Sequence, residues 1–255
     1  MHTPGPHTVL GKAVLLLRAF APDDGGLSLA ELTRRTGLAK GTVHRVAGDL
    51  VGARLLDRSE DGYHLGRQLF ELGMRASVER TLLEVATPFL EDLYELTHET
   101  VHLGVRDELD VVYVAKIGGH RQAVAPSRVG GRQPLHCTAI GKALLAHAPA
   151  DVFTAVLTRG LDRRTPRTVT GAGLLRTQLD RVAENGVSFE FEEAAVGLVC
   201  VGSPIFGAGG AAVAALSVTG PVTRFRPQVH ANAVRAAAAG LSAVLVRRVA
   251  HTTGE

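Results

Sequence analysis

Polar side chains around position 42 have the spacing of one exposed helix face. Val43, Val46, Ala47 and Leu50 recur at i, i+3, i+4 and i+7, which predicts the buried stripe of a helix that starts near Lys40. The opposite face then carries Lys40, Thr42, His44, Arg45 and Asp49. Arginine can donate two hydrogen bonds to guanine, and threonine can contact a phosphate or a thymine methyl group. The pattern favours a helix that reads double-stranded DNA; a merely solvated helix face is the alternative.

A β-hairpin is predicted directly after this helix. The segment RLLDRSEDGYHLG (54–66) contains two short strand-like runs around Asp61-Gly62, a strong turn signal. Arg54 and Arg58 flank the hairpin, where a wing can touch the DNA backbone. We therefore expect the DNA contacts to be made by Lys40, Thr42, His44, Arg45, Arg54 and Arg58.

Capping residues predict the helix that precedes this pair of elements. Ser28 and Glu31 have the S-x-x-E spacing of a capping box, in which each side chain bonds the other residue's amide. Gly37 is placed to end the helix as its C-cap. Two helices joined by a tight turn and followed by a hairpin describe a winged helix-turn-helix.

The composition indicates a globular protein but does not identify its binding partner. The chain has 255 residues, 45% hydrophobic and 21% charged, which is enough apolar material for a packed core. The 28 Lys and Arg against 25 Asp and Glu give a net charge of +3, and residues 1–75 hold 10 against 8. So small an excess permits a nucleic-acid partner without requiring one.

Neither export nor a membrane span is expected. No apolar run approaches the ~20 residues that a span needs. The first residues lack a basic region and a small-residue cleavage site. Cys137 and Cys200 are too few for a disulfide framework and are interpreted as reduced thiols. We therefore expect a cytoplasmic protein.

The pattern of the chain changes at about residue 75 and again near Glu99. Residues 66–97 have helical periodicity, with Pro88 inside an apolar stripe formed by Leu82, Val85, Phe89, Leu93 and Leu96. Strands are then expected at 100–106, 111–117, 186–191, 198–206 and 212–219, and helices at about 138–147, 151–159, 171–185 and 227–248. The predicted organisation is a domain of residues 1–75, a connector helix over about 66–80, and a domain of residues 80–255.

A second set of polar residues lies in the predicted C-terminal domain. Thr138 occupies the N-cap position of a helix, whose free amides can attract a carboxylate. Cys200 lies in an apolar strand, and Ser217 and Thr219 share one face of another. Polar side chains that point inward either bond one another or line a cavity. An ordinary helix cap and a cysteine packed in the core are the alternatives.

Catalysis and metal binding are not expected. His136 and Cys137 are adjacent on an extended segment, so they point to opposite sides and are poorly placed as a base and nucleophile. No His/Cys spacing resembles a structural zinc site, and His102, His120 and His136 are the only ligands that we consider for a loose one. We predict no cofactor.

Three motifs, in order along nearly the whole chain, resemble those of one family. They are the helix pair and wing in TGLAKGTVHR (36–45) and DRSEDGYHLG (57–66), the segment GGRQPLHCTAIGKALLA (130–146), and the segment EFEEAAVGLVCVGSPI with AALSVTGP (190–205 and 214–221). On these motifs the chain resembles the IclR family of bacterial transcriptional regulators.

The resemblance implies a GAF-like C-terminal domain with an effector pocket between its sheet and the helix after PLHCTA. The positions that match the family's pocket are Thr138, the Ala139 amide, Glu190, Leu198, Cys200, Ser217 and Thr219. Glu190 stands where the family usually has aspartate. Val124 and Arg132 would lie at the pocket mouth, where Arg132 can pair with an anionic effector.

The predicted fold is α+β: an N-terminal winged helix-turn-helix, a helical connector, and a C-terminal GAF-like α/β effector-binding domain with a mainly antiparallel sheet. The resemblance implies a homo-oligomer, a dimer or a dimer of dimers, that binds operator DNA. A small organic or aromatic acid would control it, as a repressor rather than an activator. The alternatives are a constitutive DNA-binding regulator without an effector and a GAF-like metabolic enzyme with an accessory DNA-binding domain.

Overall fold

The chain divides into two units, Met1–Arg80 and Thr81–Glu255. The computed structural model describes residues 8–21, 23–75, 77–118 and 125–252. The described residues form one buried apolar cluster in the first unit and two in the second, and each unit is described by itself.

The first unit consists of short helices and one hairpin, as the capping residues predict. Its elements are α1 (Val9–Arg18), α2 (Leu29–Thr36), α3 (Lys40–Gly52), β1 (Leu56–Ser59), β2 (Gly62–Leu65) and α4 (Arg67–Gly73). The Ser28 hydroxyl accepts a hydrogen bond from the Glu31 amide at 3.2 Å, and Gly37 ends α2 with φ 66°. We also predicted that the Glu31 carboxylate would accept a hydrogen bond from the Ser28 amide, and this prediction is wrong. That carboxylate instead accepts hydrogen bonds from the guanidinium groups of Arg34 and Arg35.

The second unit is a six-stranded antiparallel sheet with helices on both faces. Its elements are α5 (Ser77–Thr97), β3 (Thr100–Asp107), β4 (Asp110–Ile117), β5 (Arg132–Pro134), α6 (Ala139–Leu145), α7 (Ala150–Arg159), α8 (Ala172–Asn185), β6 (Ser188–Phe191), β7 (Leu198–Phe206), β8 (Ala212–Pro221) and α9 (Pro227–Thr252). The strand order is β5-β4-β3-β8-β7-β6, with every neighbouring pair antiparallel. The α+β fold and the antiparallel sheet are therefore confirmed.

Alternation along the strands gives the sheet two different faces. Val101, Leu103, Val201 and Val218 belong to a cluster with α5 and α9. The residues between them in the chain, such as His102 and Ser217, point to the other face, where α6 packs. The polar side chains of the strands are thereby collected between α6 and the sheet.

Two details of the second unit differ from the sequence predictions. Strand β5 was missed because a strand of three residues has no measurable alternation. Leu96 was placed in the buried stripe of α5, but its side chain is 61% exposed, and Ala86 and Leu90 complete the buried face instead. Pro88, which we expected either to kink this helix or to mark its start, lies inside α5.

Candidate functional site

Helix α3 exposes the side chains that were predicted to read DNA. Val43, Val46, Ala47 and Leu50 are buried, as the periodicity predicted. Lys40, His44 and Arg45 are exposed and Thr42 is half-buried. The N-cap residue is Ala39, which has no side chain that could cap the first amides. Those amides therefore stay available to an acceptor such as a DNA phosphate.

The side chain of Arg45 is only weakly held in the free protein. Its Nη1 lies 3.6 Å from Oδ2 of Asp49, and both side chains are more than half exposed. An exposed pair at this distance contributes little to stability, because water and salt screen it. Arg45 can therefore exchange Asp49 for a base edge at small cost.

The hairpin places Arg54 and Arg58 on the surface of the same unit. Arg54 adopts a left-handed backbone (φ 58°) between α3 and β1, and Arg58 lies 5.6 Å from the centre of the Tyr63 ring. Gly66 closes the hairpin where no larger residue fits, since a Cβ there would lie 2.2 Å from the Arg54 carbonyl oxygen. All six residues that we predicted to contact DNA therefore belong to one small unit, with five exposed and Thr42 half-buried.

In the second unit, a cavity lies between α6 and the sheet. It is lined by all seven residues that the sequence analysis assigned to an effector pocket: Thr138, Ala139, Glu190, Leu198, Cys200, Ser217 and Thr219. Its free volume is about 40 Å³, which is room for a few water molecules. The cavity is thus formed but nearly filled by its own lining.

Thr138 fixes the helix that closes one side of the cavity. Its hydroxyl donates to the Pro134 carbonyl at 3.1 Å and accepts from the Gly141 amide at 3.0 Å. Gly141 is required here, because a Cβ would lie 2.3 Å from the Leu135 carbonyl oxygen. This close approach holds the start of α6, including Ala139, against the cavity.

A line of hydrogen bonds crosses the floor of the cavity. His102 Nε2 lies 2.7 Å from Ser127 Oγ, and Thr219 Oγ1 lies 3.5 Å from His102 Nδ1 and 3.1 Å from Cys200 Sγ. Burial lowers the pKa of His102 to about 3, so its imidazole is neutral at physiological pH. The floor therefore offers neutral donors and acceptors.

Glu190 supplies a buried carboxyl group at the edge of the cavity. Its Oε1 accepts hydrogen bonds from the amides of Glu193 at 2.5 Å and Ala194 at 3.0 Å. Burial nevertheless raises its pKa to about 7. The group therefore changes charge near neutral pH.

Ser217 has the hydroxyl group that is most available to a ligand. It is 3% exposed and lies beside His102 on β3 and Gly202 on β7. Among the described residues we find no hydrogen-bond partner for this hydroxyl. Buried hydroxyl groups are normally paired, so this one is suited to a ligand.

Several lining residues were missed by the sequence analysis. They are His102, Tyr113, Ala125, Pro126, Ser127, Gln133, Ile140, Ala194 and Ala195. Only His102 had a usable signal, a polar residue inside the apolar strand TVHLGVR. Ile140 follows Ala139 on α6, and Ala194 and Ala195 follow β6, but none of the three has a polar group that would mark it. The others reach the cavity from β4, β5 and the segment before β5, which no local pattern reveals.

Arg132 does not line the cavity, contrary to expectation. Its guanidinium binds Asp107 at 2.7 Å and lies 3.6 Å from Asp110, because β5 carries its side chain toward the β3–β4 turn. The neighbouring residue, Gln133, lines the cavity instead, and its Oε1 lies 3.3 Å from Nη2 of Arg164. Val124, the other residue predicted at the mouth, lies outside the described residues.

Cys137 and His136 do not have the environments of a catalytic nucleophile and its general base. Burial raises the pKa of Cys137 to about 12, which is opposite to the shift that activates a nucleophile. His136 Nε2 lies 3.1 Å from the Asp162 carbonyl oxygen.

Among the described residues there is no cluster of three or more His, Cys, Asp or Glu that could hold a metal ion. His120 lies outside those residues.

One helix among the described residues, Pro227–Arg248, is long and apolar enough to span a membrane by length and composition. Its Val234, Ala238, Leu241 and Leu245 are buried in the core cluster with β7 and β8. These residues form the part of the helix that packs on the sheet, and 22% of its apolar stretch is buried.

Comparison with known proteins identifies a matching domain family for each of the two units. Residues 9–60 match the IclR helix-turn-helix domain, and residues 74–243 match the bacterial transcriptional regulator IclR C-terminal domain. The HTH-type transcriptional regulator KdgR of Escherichia coli is 36% identical over 224 residues, which are 85% of each chain. The HTH-type transcriptional repressor AllR of Klebsiella pneumoniae is 29% identical over 221 residues, 86% of this chain and 81% of the relative.

A solved structure agrees over nearly the whole chain. An IclR homolog from Microbacterium hydrocarbonoxydans, complexed with 4-hydroxybenzoate, superposes with a TM-score of 0.87 at 30% identity and covers 93% of this chain and 99% of the other. A DNA-reading helix pair joined to a sheet domain is the architecture of a helix-turn-helix transcriptional regulator. The chain belongs to the IclR family of bacterial transcriptional regulators.

Proposed function

We propose that the protein binds operator DNA through α3 and its hairpin and that a small organic acid in the cavity controls this binding. The observation that carries the proposal is the cavity itself, a buried space lined by hydroxyl, thiol, imidazole and carboxyl groups. Polar groups that converge in an enclosed apolar site are typical of ligand pockets.

The nearly filled state of the cavity supports control by a ligand. A free volume of about 40 Å³ is too small for an organic acid, so binding requires the lining to expand. A ligand that binds only the expanded form shifts the protein toward that form. The size of the linked change in operator affinity is then expected to be ~1–3 kcal/mol, as in other allosteric proteins.

The proposed effector class is a small, preferably aromatic, carboxylic acid. The related Microbacterium protein was solved with 4-hydroxybenzoate, which makes that compound the first probe. No Lys or Arg is among the described lining residues. The carboxylate would therefore be held by neutral donors: the hydroxyl groups of Ser217 and Thr219 and the amide of Ala139.

We further infer a cytoplasmic homodimer, or a dimer of such dimers, that acts as a repressor without a cofactor. AllR, 29% identical, is a repressor by name. Helix α4 has no buried residue, and Phe70, Leu72 and Met74 are 68%, 46% and 47% exposed. Phe70 and Met74, four residues apart, share one face of the helix, and such an exposed apolar face favours pairing of two copies, which a palindromic operator needs.

Operator binding measured with and without acids tests the proposal against its alternatives. Thermal-shift screening of small organic acids identifies binders, and fluorescence anisotropy on the upstream DNA then gives the operator Kd with each binder. A constitutive regulator would bind the same DNA with an unchanged Kd. A metabolic enzyme would consume a bound acid, which chromatography of the mixture detects.

A further inference from the structure

A second cavity lies at the open edge of the sheet, beside the edge strand β6. Helices α6, α8 and α9 contribute to its walls together with β6. Its volume is about 460 Å³, within the ~300–1,000 Å³ of typical small-molecule sites. We call it the edge groove; its residues do not overlap those of the effector cavity.

The edge groove has two positive charges that no carboxylate neutralises. The guanidinium group of Arg181 on α8 has no hydrogen-bond or ion-pair partner among the described residues; its backbone carbonyl accepts from Asn185 Nδ2 at 2.9 Å. Arg235 on α9 donates to neutral acceptors, the Asn185 carbonyl at 3.3 Å and Asn232 Oδ1 at 3.0 Å. No Asp or Glu is among the described residues that line the groove. An anion is therefore favoured there.

The rest of the lining suits an aromatic ring. Phe189 and Phe191 stack with centroids 6.1 Å apart and planes 18° from parallel, and Phe191 is 39% exposed. Gln178 Oε1 is buried without a hydrogen-bond partner in the described part of the chain. Its position in the groove leaves an acceptor for a donor on a ligand.

We propose that the edge groove is a second small-molecule site, which binds an aromatic carboxylate. The carboxylate lies between the guanidinium groups of Arg181 and Arg235, and the ring packs against Phe189 and Phe191. Guanidinium groups bind carboxylates through short, charge-assisted hydrogen bonds. This site shares no lining residue with the effector cavity and goes beyond the proposed function.

The groove also adjoins a buried path to the effector cavity. Lys142 lines the groove and pairs with Glu193, whose amide donates to Glu190 in the effector cavity. Occupancy of the groove can therefore affect Glu190 through two direct contacts.

A tryptophan reporter tests the proposal, because the natural chain has no tryptophan. In the Phe191→Trp variant, titration with benzoate should change the emission along a saturating curve, and neutral benzamide should not. Adding Arg181→Gln should raise the benzoate Kd about ten-fold, whereas adding Arg247→Gln, at an exposed arginine outside the groove, should leave it within two-fold. Equal titration by benzamide, or an unchanged Kd after Arg181→Gln, would overturn the proposal.

A second measurement avoids the reporter. Calorimetry of benzoate binding to the Ser217→Val variant, whose effector cavity is blocked, should show one site per chain. That site should be lost in the triple variant that also carries Arg181→Gln and Arg235→Gln. Binding that persists in the triple variant, or no binding to Ser217→Val alone, would overturn the assignment. Neither result depends on operator binding, so the proposed function is tested separately.

Discussion

The ammonium group of Lys142 and the carboxylate of Glu193 form an ion pair inside the second unit. The two residues are 1% and 4% exposed. Lys142 Nζ also donates to the Phe189 carbonyl oxygen at 3.2 Å, on the open edge of β6. An unpaired strand edge invites association with other chains, and this lysine occupies it. Through this hydrogen bond the lysine joins β6 to α6.

Loss of one partner should destabilise the second unit strongly. The Lys142→Met variant leaves the Glu193 carboxylate buried without a counter-ion, which costs ~3–5 kcal/mol. The double variant Lys142→Met/Glu193→Leu should recover much of that loss, because no charge stays buried. Urea unfolding monitored by circular dichroism gives the free energy of unfolding of the single and the double variant. A double variant as unstable as the single one would show that packing, rather than charge, dominates.

Arg45→Ala should weaken operator binding by ~1–3 kcal/mol without changing the fold. The side chain is 58% exposed and has only a weak contact with Asp49, so little stability depends on it. Anisotropy titration of the upstream DNA measures the change. Arg247→Ala, an exposed arginine of the second unit, is the matched control. Equal affinities for Arg45→Ala and the control would mean that α3 does not read the operator.

Glu190 should make stability depend on pH between about 4.5 and 7. In the unfolded chain the carboxyl ionises near its ordinary pKa of 4.5, whereas burial in the folded protein raises that pKa to about 7. The folded state therefore holds more protons in this window, and stability falls as pH rises. The loss is complete above pH 7 and is on the order of 3 kcal/mol.

The Glu190→Gln variant isolates this effect, because glutamine does not titrate. Its stability relative to the natural protein should rise from pH 4.5 to pH 8, as measured by urea unfolding at each pH. A difference that stays constant across that range would mean that Glu190 does not titrate as the burial implies.

The fragment of residues 81–255 should fold without the first unit. It contains two buried apolar clusters and the complete six-stranded sheet. A chain of this length is well above the size at which domains struggle to bury a core. A cooperative thermal transition is the expected result. A non-cooperative transition would show that the fragment depends on the first unit.

Sequence patterns among neighbouring residues predicted the helices and strands better than they predicted the residues of the effector cavity. Caps such as Ser28 and Gly37 and the alternation of the strands depend only on neighbours in the chain, so they can be read directly. Lys142 illustrates the limit: lysine is normally exposed, and only its distant partner Glu193 makes burial possible. Arg132 shows the same limit, since Asp107 and not the cavity binds its side chain. The seven predicted cavity residues were brought together by family motifs rather than by physical reasoning alone.

The placement of the effector is tested by comparing the operator response of the natural protein with that of the Ser217→Val variant. The added methyl groups fill the small cavity and remove a hydroxyl that has no partner among the described residues, so stability should change little. An acid found by thermal shift, with 4-hydroxybenzoate tested first, should change the operator Kd of the natural protein by a factor of ~5–150. The variant should bind the operator equally well and show no response to the acid. A folded Ser217→Val variant that responds like the natural protein would contradict the placement of the effector in this cavity.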